Sequence, residues 1–96
     1  MIVSFGDRAT EDLFHGRPTT RARGLPRDVM KVALRKLDMI NTAAALLDLR
    51  APPANRLEAL KGDLKGLHSI RVNQQWRLVF RWAGNHAHEV LLTDYH

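Results

Sequence analysis

The chain has 96 residues, 45% of them apolar and 26% charged, with fifteen Lys and Arg against ten Asp and Glu and a formal charge of +5. That length holds one domain, residues 1–96, with a modest core, and the composition is too apolar for a disordered chain. Cysteine is absent, which excludes disulfides and thiolate metal sites, and no apolar run approaches the ~18 residues of a membrane span.

Ile2 to Phe5 is a short β-prone run. Asp7 is placed to cap a helix from Arg8 to about His15. The acids of this opening segment stand where a secretory signal has its apolar core, so the expected location is the cytoplasm. Residues 16–25, polar and punctuated by Gly and Pro, read as a loop with three arginines. Pro26 suits the first turn of a long helix with Asp28 near its positive end. Met30, Ala33, Leu34, Leu37, Ile40, Ala44 and Leu47 recur at steps of three and four, which predicts one buried stripe over residues 26–47. Lys31, Arg35, Asp38 and Thr42 fall on the opposite, wet face. Ala51-Pro52-Pro53 cannot continue the helix.

Beyond this point the period becomes two. Residues 56–60 read as a short strand and 61–66 as a turn with two glycines. Ile70 and Val72 alternate with Ser69 and Arg71. Trp76, Leu78, Phe80 and Trp82 alternate with Arg77, Val79 and Arg81. Gly84-Asn85 marks a turn, and His86 to Tyr95 forms a last strand. The fold class is α+β: two N-terminal helices on a small twisted antiparallel sheet, in the order β-α-α-β-β-β-β.

Eleven of the fifteen cations are arginine, whose planar fork matches phosphate, so the bias favours a nucleic-acid partner. Residues 1–50 carry +3 and residues 51–96 carry +2, so the fold must gather the charge on one face. Side-chain parity supplies one such gathering. If Ile70, Val72, Trp76 and Leu78 share the core face, the hairpin loop is Asn73-Gln74-Gln75, and Arg71 stands directly opposite Arg77. Like charges in that position repel unless an anion offsets them, and a phosphodiester gripped by two guanidinium groups does so. The last strand returns past Arg77, placing Leu91 or Leu92 opposite it and Asp94, Tyr95 and His96 near the 73–75 loop. An acid, a phenol and an imidazole beside two arginines are the parts needed for proton transfer around a phosphate. His86 and His88 are a possible metal pair with no evident third ligand. His68, in register with Phe80, is a packing residue.

Asn55-Arg56-Leu57-Glu58-Ala59-Leu60-Lys61-Gly62-Asp63, Lys65-Gly66, Ser69-Ile70-Arg71-Val72-Asn73, Gln75-Trp76-Arg77 and the closing Asp94-Tyr95-His96 resemble the HigB killer-protein family of the RelE/ParE superfamily. The resemblance runs the whole length and implies a RelE-like fold and a ribosome-dependent messenger-RNA endonuclease. In that reading Lys61, Arg71 and Arg77 are the basic catalytic residues and Asp94, Tyr95 and His96 the active-site run, with Arg56, Glu58 and Lys65 binding RNA. Glu58 departs from relatives that carry histidine there. The implied cleavage proceeds by 2′-hydroxyl attack on the phosphodiester and calls for no metal or cofactor. The implied partners are a HigA-type helix-turn-helix antitoxin, the ribosome and messenger RNA, with operator DNA reached only through the antitoxin and no membrane. Two alternatives stay open on the residues alone: a ParE-like poison of DNA gyrase on the same fold, and a nucleic-acid-binding regulator.

Overall fold

Asp7 sits in extended backbone, and its carboxylate accepts a hydrogen bond from the Thr10 amide at 2.8 Å, which starts helix α1 (Arg8–Phe14). The computed structural model describes residues 1–94. The segment 16–25 departs from the loop expected of it and contains a four-residue helix, α2 (Thr20–Arg23). The cause is Asp12 on α1, only 4% exposed. Its carboxylate accepts from the Thr19 hydroxyl at 2.8 Å and Arg21 Nε at 3.2 Å, with Arg17 Nη1 at 3.5 Å. Thr19, held this way, accepts from the Ala22 amide and caps α2. The Thr19 hydrogen bond, aided by Arg21 and Arg17 and opposed by burial, holds the Asp12 carboxyl below its ordinary range.

Helix α3 spans Arg27–Thr42 and ends five residues before the expected limit at 47. The Thr42 hydroxyl donates back to the Asp38 carbonyl at 2.9 Å. Asp48 then captures the amides of Ala44 and Ala45, each at 3.0 Å, at the start of a 3-10 turn (Leu46–Arg50). Asp48 offers these amides a partner outside the helix, and the helix stops. The buried stripe also differs from the expected one. It comprises Val29, Ala33, Lys36, Leu37 and Ile40, while Leu34 and Leu47 are 37% and 60% exposed. The helix turns Lys36 inward because Asn55, wholly buried, offers its Oδ1 to the ammonium.

Four antiparallel strands, β1 (Glu58–Ala59), β2 (Leu67–Arg71), β3 (Trp76–Ala83) and β4 (His86–Asp94), lie in sequence order. The N-terminal run adds a parallel edge to β4 through bridges at Ile2↔Ala87 and Phe5↔Val90. Gly6 is needed there, because a Cβ on it would lie 3.0 Å from the Glu89 carbonyl oxygen. Ile70 pairs with Leu78 and Arg71 with Arg77. The Val72 amide donates to the Trp76 carbonyl at 2.9 Å across the 73–75 loop. Asn73 Oδ1 tightens that loop by accepting from the amides of Gln75 and Trp76. One core fills the space between α3 and the sheet, with Leu37, Ile40, Ile70, Leu78, Phe80 and Val90 fully buried. His68 stacks on Phe80, ring centroids 6.3 Å apart.

A β-bulge between Val79 and Arg81 sets the last strand. Three steps of β4, from Leu91 to His88, answer two steps of β3, and Glu89 takes up the extra residue at φ 56°. Arg77 consequently faces Thr93, not Leu91 or Leu92 as the alternation led us to expect. Among the described residues no helix is long and apolar enough to cross a membrane.

Candidate active site

The face of the sheet turned away from α3 carries Arg71 and Arg77 side by side on β2 and β3, with Ser69, Glu58 and Thr93 around them by register. Arg77 is the better held of the two, its side chain only 15% exposed. Its Nε donates to the Ser69 hydroxyl at 2.9 Å and its Nη2 to the Arg56 carbonyl at 3.1 Å, with Glu58 Oε1 at 3.6 Å. Arg56 can offer that carbonyl because it sits in the left-handed region, φ 46° and ψ 58°, closing the turn Pro53–Asn55. Arg71 leaves the pair the other way, and its Nε donates to the Asn73 carbonyl at 3.1 Å. Divergence relieves the like-charge repulsion expected of directly opposed arginines.

Asp94 reaches the hairpin end as expected. It pairs with Trp76, one position beyond Arg77↔Thr93, and its Oδ2 accepts from Gln75 Nε2 at 2.7 Å. The sheet thus brings Arg56, Glu58, Arg71, Arg77 and Asp94 to one end. Lys61 and Lys65 flank the exposed turn Gly62–Leu64. The β1–β2 register sets them beyond the opposite end of β2, about 16–20 Å along the strand from Arg71 at roughly 3.3 Å per strand residue. Tyr95 and His96 lie outside the described residues. His88 lies with a ring nitrogen 3.3 Å from the Ala83 carbonyl. Among the described residues no group of three or more His, Asp and Glu side chains comes together as a metal site.

Sequence reasoning missed a cleft beside this end of the sheet. It has a volume of about 420 Å³ and is lined by Arg35, Lys36, Arg56 and Arg71 with Val32, Ala54 and Val72. The helical periodicity places Arg35 on the wet face of α3 and gives Lys36 no role. The one signal for them was the adjacency of two cations on α3. Burial, with Arg35 beside it, pushes the Lys36 ammonium below the usual lysine range. Chemically, this end of the domain offers guanidinium groups for a phosphate, while the Asp94 carboxylate, paired with Trp76, leaves the strand on the other face.

Comparison with known proteins gives a consistent answer. The family model of the HigB-like toxins, described as RelE-like toxins of type II toxin–antitoxin systems, matches residues 3–96. A toxin named HigB-1 from Vibrio cholerae is 43% identical over 83 residues, covering 86% of this chain and 85% of that protein. An endoribonuclease named HigB from Proteus vulgaris is 31% identical over 96 residues and the full length of both. Among solved structures, a YoeB–YefM complex from Staphylococcus aureus contains a chain similar in fold. Its TM-score is 0.62 at 24% identity, over 100% of this chain and 98% of that one.

Proposed function

From the premise that the chain belongs to the HigB-like family of type II toxin–antitoxin toxins, we propose that it is an endoribonuclease that cuts messenger RNA on the ribosome and so halts translation in the cytoplasm. The observation that carries this reading is the directly opposed pair Arg71 and Arg77 on the sheet face turned away from the core. Two guanidinium groups stabilise the charge that builds on a pentacoordinate phosphorus. Asp94 and His96 divide the proton transfers. One takes the proton of the RNA 2′-hydroxyl as its oxygen attacks the phosphorus, and the other protonates the 5′-oxygen as the P–O5′ bond breaks. The products are a 2′,3′-cyclic phosphate and a 5′-hydroxyl. Arg56 and Glu58 fix Arg77, Tyr95 stacks on a base, and Lys61 and Lys65 contact the RNA farther along the sheet.

As a toxin of a type II toxin–antitoxin system the protein has an antitoxin partner, read here as a HigA-type protein that also carries the toxin to operator DNA. The name of the Proteus vulgaris relative supports cleavage over gyrase poisoning and over a regulatory DNA-binding role. Primer extension on ribosome-bound message tests the proposal. The wild type should give cuts with 5′-hydroxyl ends, a 2′-deoxy substitution at the cut nucleotide should block them, and Arg71→Ala and His96→Ala should lose them. Intact message together with failing DNA supercoiling overturns the proposal.

A further inference from the structure

We propose that the cleft between α3, residues 54–56 and the end of β2 is a second phosphate subsite, in which Arg35 and Lys36 hold a backbone phosphate of the RNA strand next to the one being cut. The inference rests on the ribonuclease reading and extends it to residues on the far side of Arg71.

Charge is the first argument. Four cations, Arg35, Lys36, Arg56 and Arg71, line the cleft and no acid does. Among the described residues the ion pairs fall elsewhere: Asp12 serves Arg17 and Arg21, Glu58 serves Arg77, and Glu89 serves Arg81. Four like charges around one hollow repel one another, and a polyanion removes that repulsion.

The second argument is how Lys36 is built in. Its residue is 9% exposed, yet it forms part of the cleft wall. Asn55 Oδ1 accepts from the ammonium, while Asn55 Nδ2 donates to the carbonyls of Leu49 and Ala51 at 3.2 and 3.3 Å. The amide is locked by backbone on one side and locks the lysine on the other. An ammonium has three donors, and Asn55 uses one. A charge carried into a wall at a desolvation cost, then fixed in direction, is a prepared anion site. A bound phosphate also favours the charged form that burial disfavours.

Continuity is the third. Arg71 lines the cleft and at the same time opposes Arg77 on the sheet, and Arg56 lines it while its carbonyl holds Arg77. A strand whose cut phosphate sits at the arginine pair therefore runs directly into the cleft. The subsite reads backbone only, so it recognises single-stranded DNA as well as RNA.

The test uses fluorescence anisotropy of the full chain with an end-labelled, all-deoxy single-stranded oligonucleotide, which cannot be cut, titrated across a salt series. Arg35→Gln and Lys36→Met should each weaken binding about ten-fold and lower the slope of log affinity against log salt by about 0.7. Lys31→Gln, outside the cleft, should match the wild type. On ribosome-bound message the two cleft variants should raise KM and leave kcat in place. Arg35 is exposed, so its variant folds whatever Lys36→Met does in a thermal melt. Wild-type binding with unchanged slope in both variants overturns the subsite, as does a wild type that fails to bind. Loss of antitoxin neutralisation with oligonucleotide binding intact overturns it too and assigns the cleft to an acidic protein segment. If the variants weaken binding but no form of the protein cuts message, the ribonuclease reading fails and the subsite stands.

Discussion

Arg71 and Arg77 occupy opposing positions on β2 and β3, and their guanidinium groups point apart, one to the Asn73 carbonyl and the other to the Ser69 hydroxyl. The two residues are thereby unequal. Arg71 lies against an open cleft with one hydrogen bond to an exposed loop, whereas Arg77, on β3, ties β2 to Arg56, two residues ahead of β1.

That inequality separates the effects of truncation. Arg77→Ala removes the partner of Ser69, which is wholly buried, and a backbone carbonyl contact, so stability should fall by about 1–2 kcal/mol. This loss outweighs the gain from removing one of two opposed like charges. Arg71→Ala should stay within about 0.5 kcal/mol of the wild type. Both should lose message cleavage. Urea unfolding followed by fluorescence, run beside the cleavage assay, distinguishes the two.

Asn55 should be the most sensitive polar residue of the core. Asn55→Ala strands the Leu49 and Ala51 carbonyls and leaves the Lys36 ammonium buried without its acceptor. A destabilisation of about 2–4 kcal/mol is expected, seen as a fall in Tm of more than about 10 °C. Adding Lys36→Met should recover part of it, since the stranded charge is gone. A double-mutant cycle with no coupling between the two positions contradicts the contact.

Asp12 makes stability depend on acid. Its carboxyl is held below the ordinary value, by the Thr19 hydroxyl first and by Arg21 and Arg17, so the unfolded chain takes up the proton before the folded one. The contribution is complete above the unfolded value of about 3.9 and is lost as pH falls through the folded one. Asp12→Asn should therefore melt lower than the wild type at neutral pH, with the gap closing below about pH 4. A gap that persists unchanged in acid shows that shape, not charge, is what Asp12 supplies.

Glu89 carries the bulge in a left-handed conformation, φ 56°, that glycine adopts freely. Its ion pair with Arg81, 3.7 Å apart at the surface, contributes little. Glu89→Gly should stabilise the domain by up to about 1 kcal/mol, and Glu89→Val should destabilise it by a similar amount. Urea midpoints in the reverse order mean the register of β4 is held by something other than this residue.

Local chemistry was legible in the residues themselves. The cap at Asp7, the start of the long helix after Pro26, the register of the 73–75 hairpin and the opposition of Arg71 and Arg77 all follow from neighbours a few positions apart or from strict alternation of side chains. Those signals act over one turn or one strand pair, so they survive without knowledge of the rest of the molecule. Tertiary structure decided the remainder. Val90-Leu91-Leu92 has no alternation and the bulge residue is a glutamate, so nothing in the chain marks where β4 shifts its register. The end of α3 depends on Asp48 competing for amides beyond it, and the inward turn of Lys36 depends on an acceptor nineteen residues away. The arginine pair of the candidate site is written in the strand pattern. The cleft that continues it exists only because packing brings a helix, a turn and a strand end together, and no periodicity within any one of them encodes that meeting.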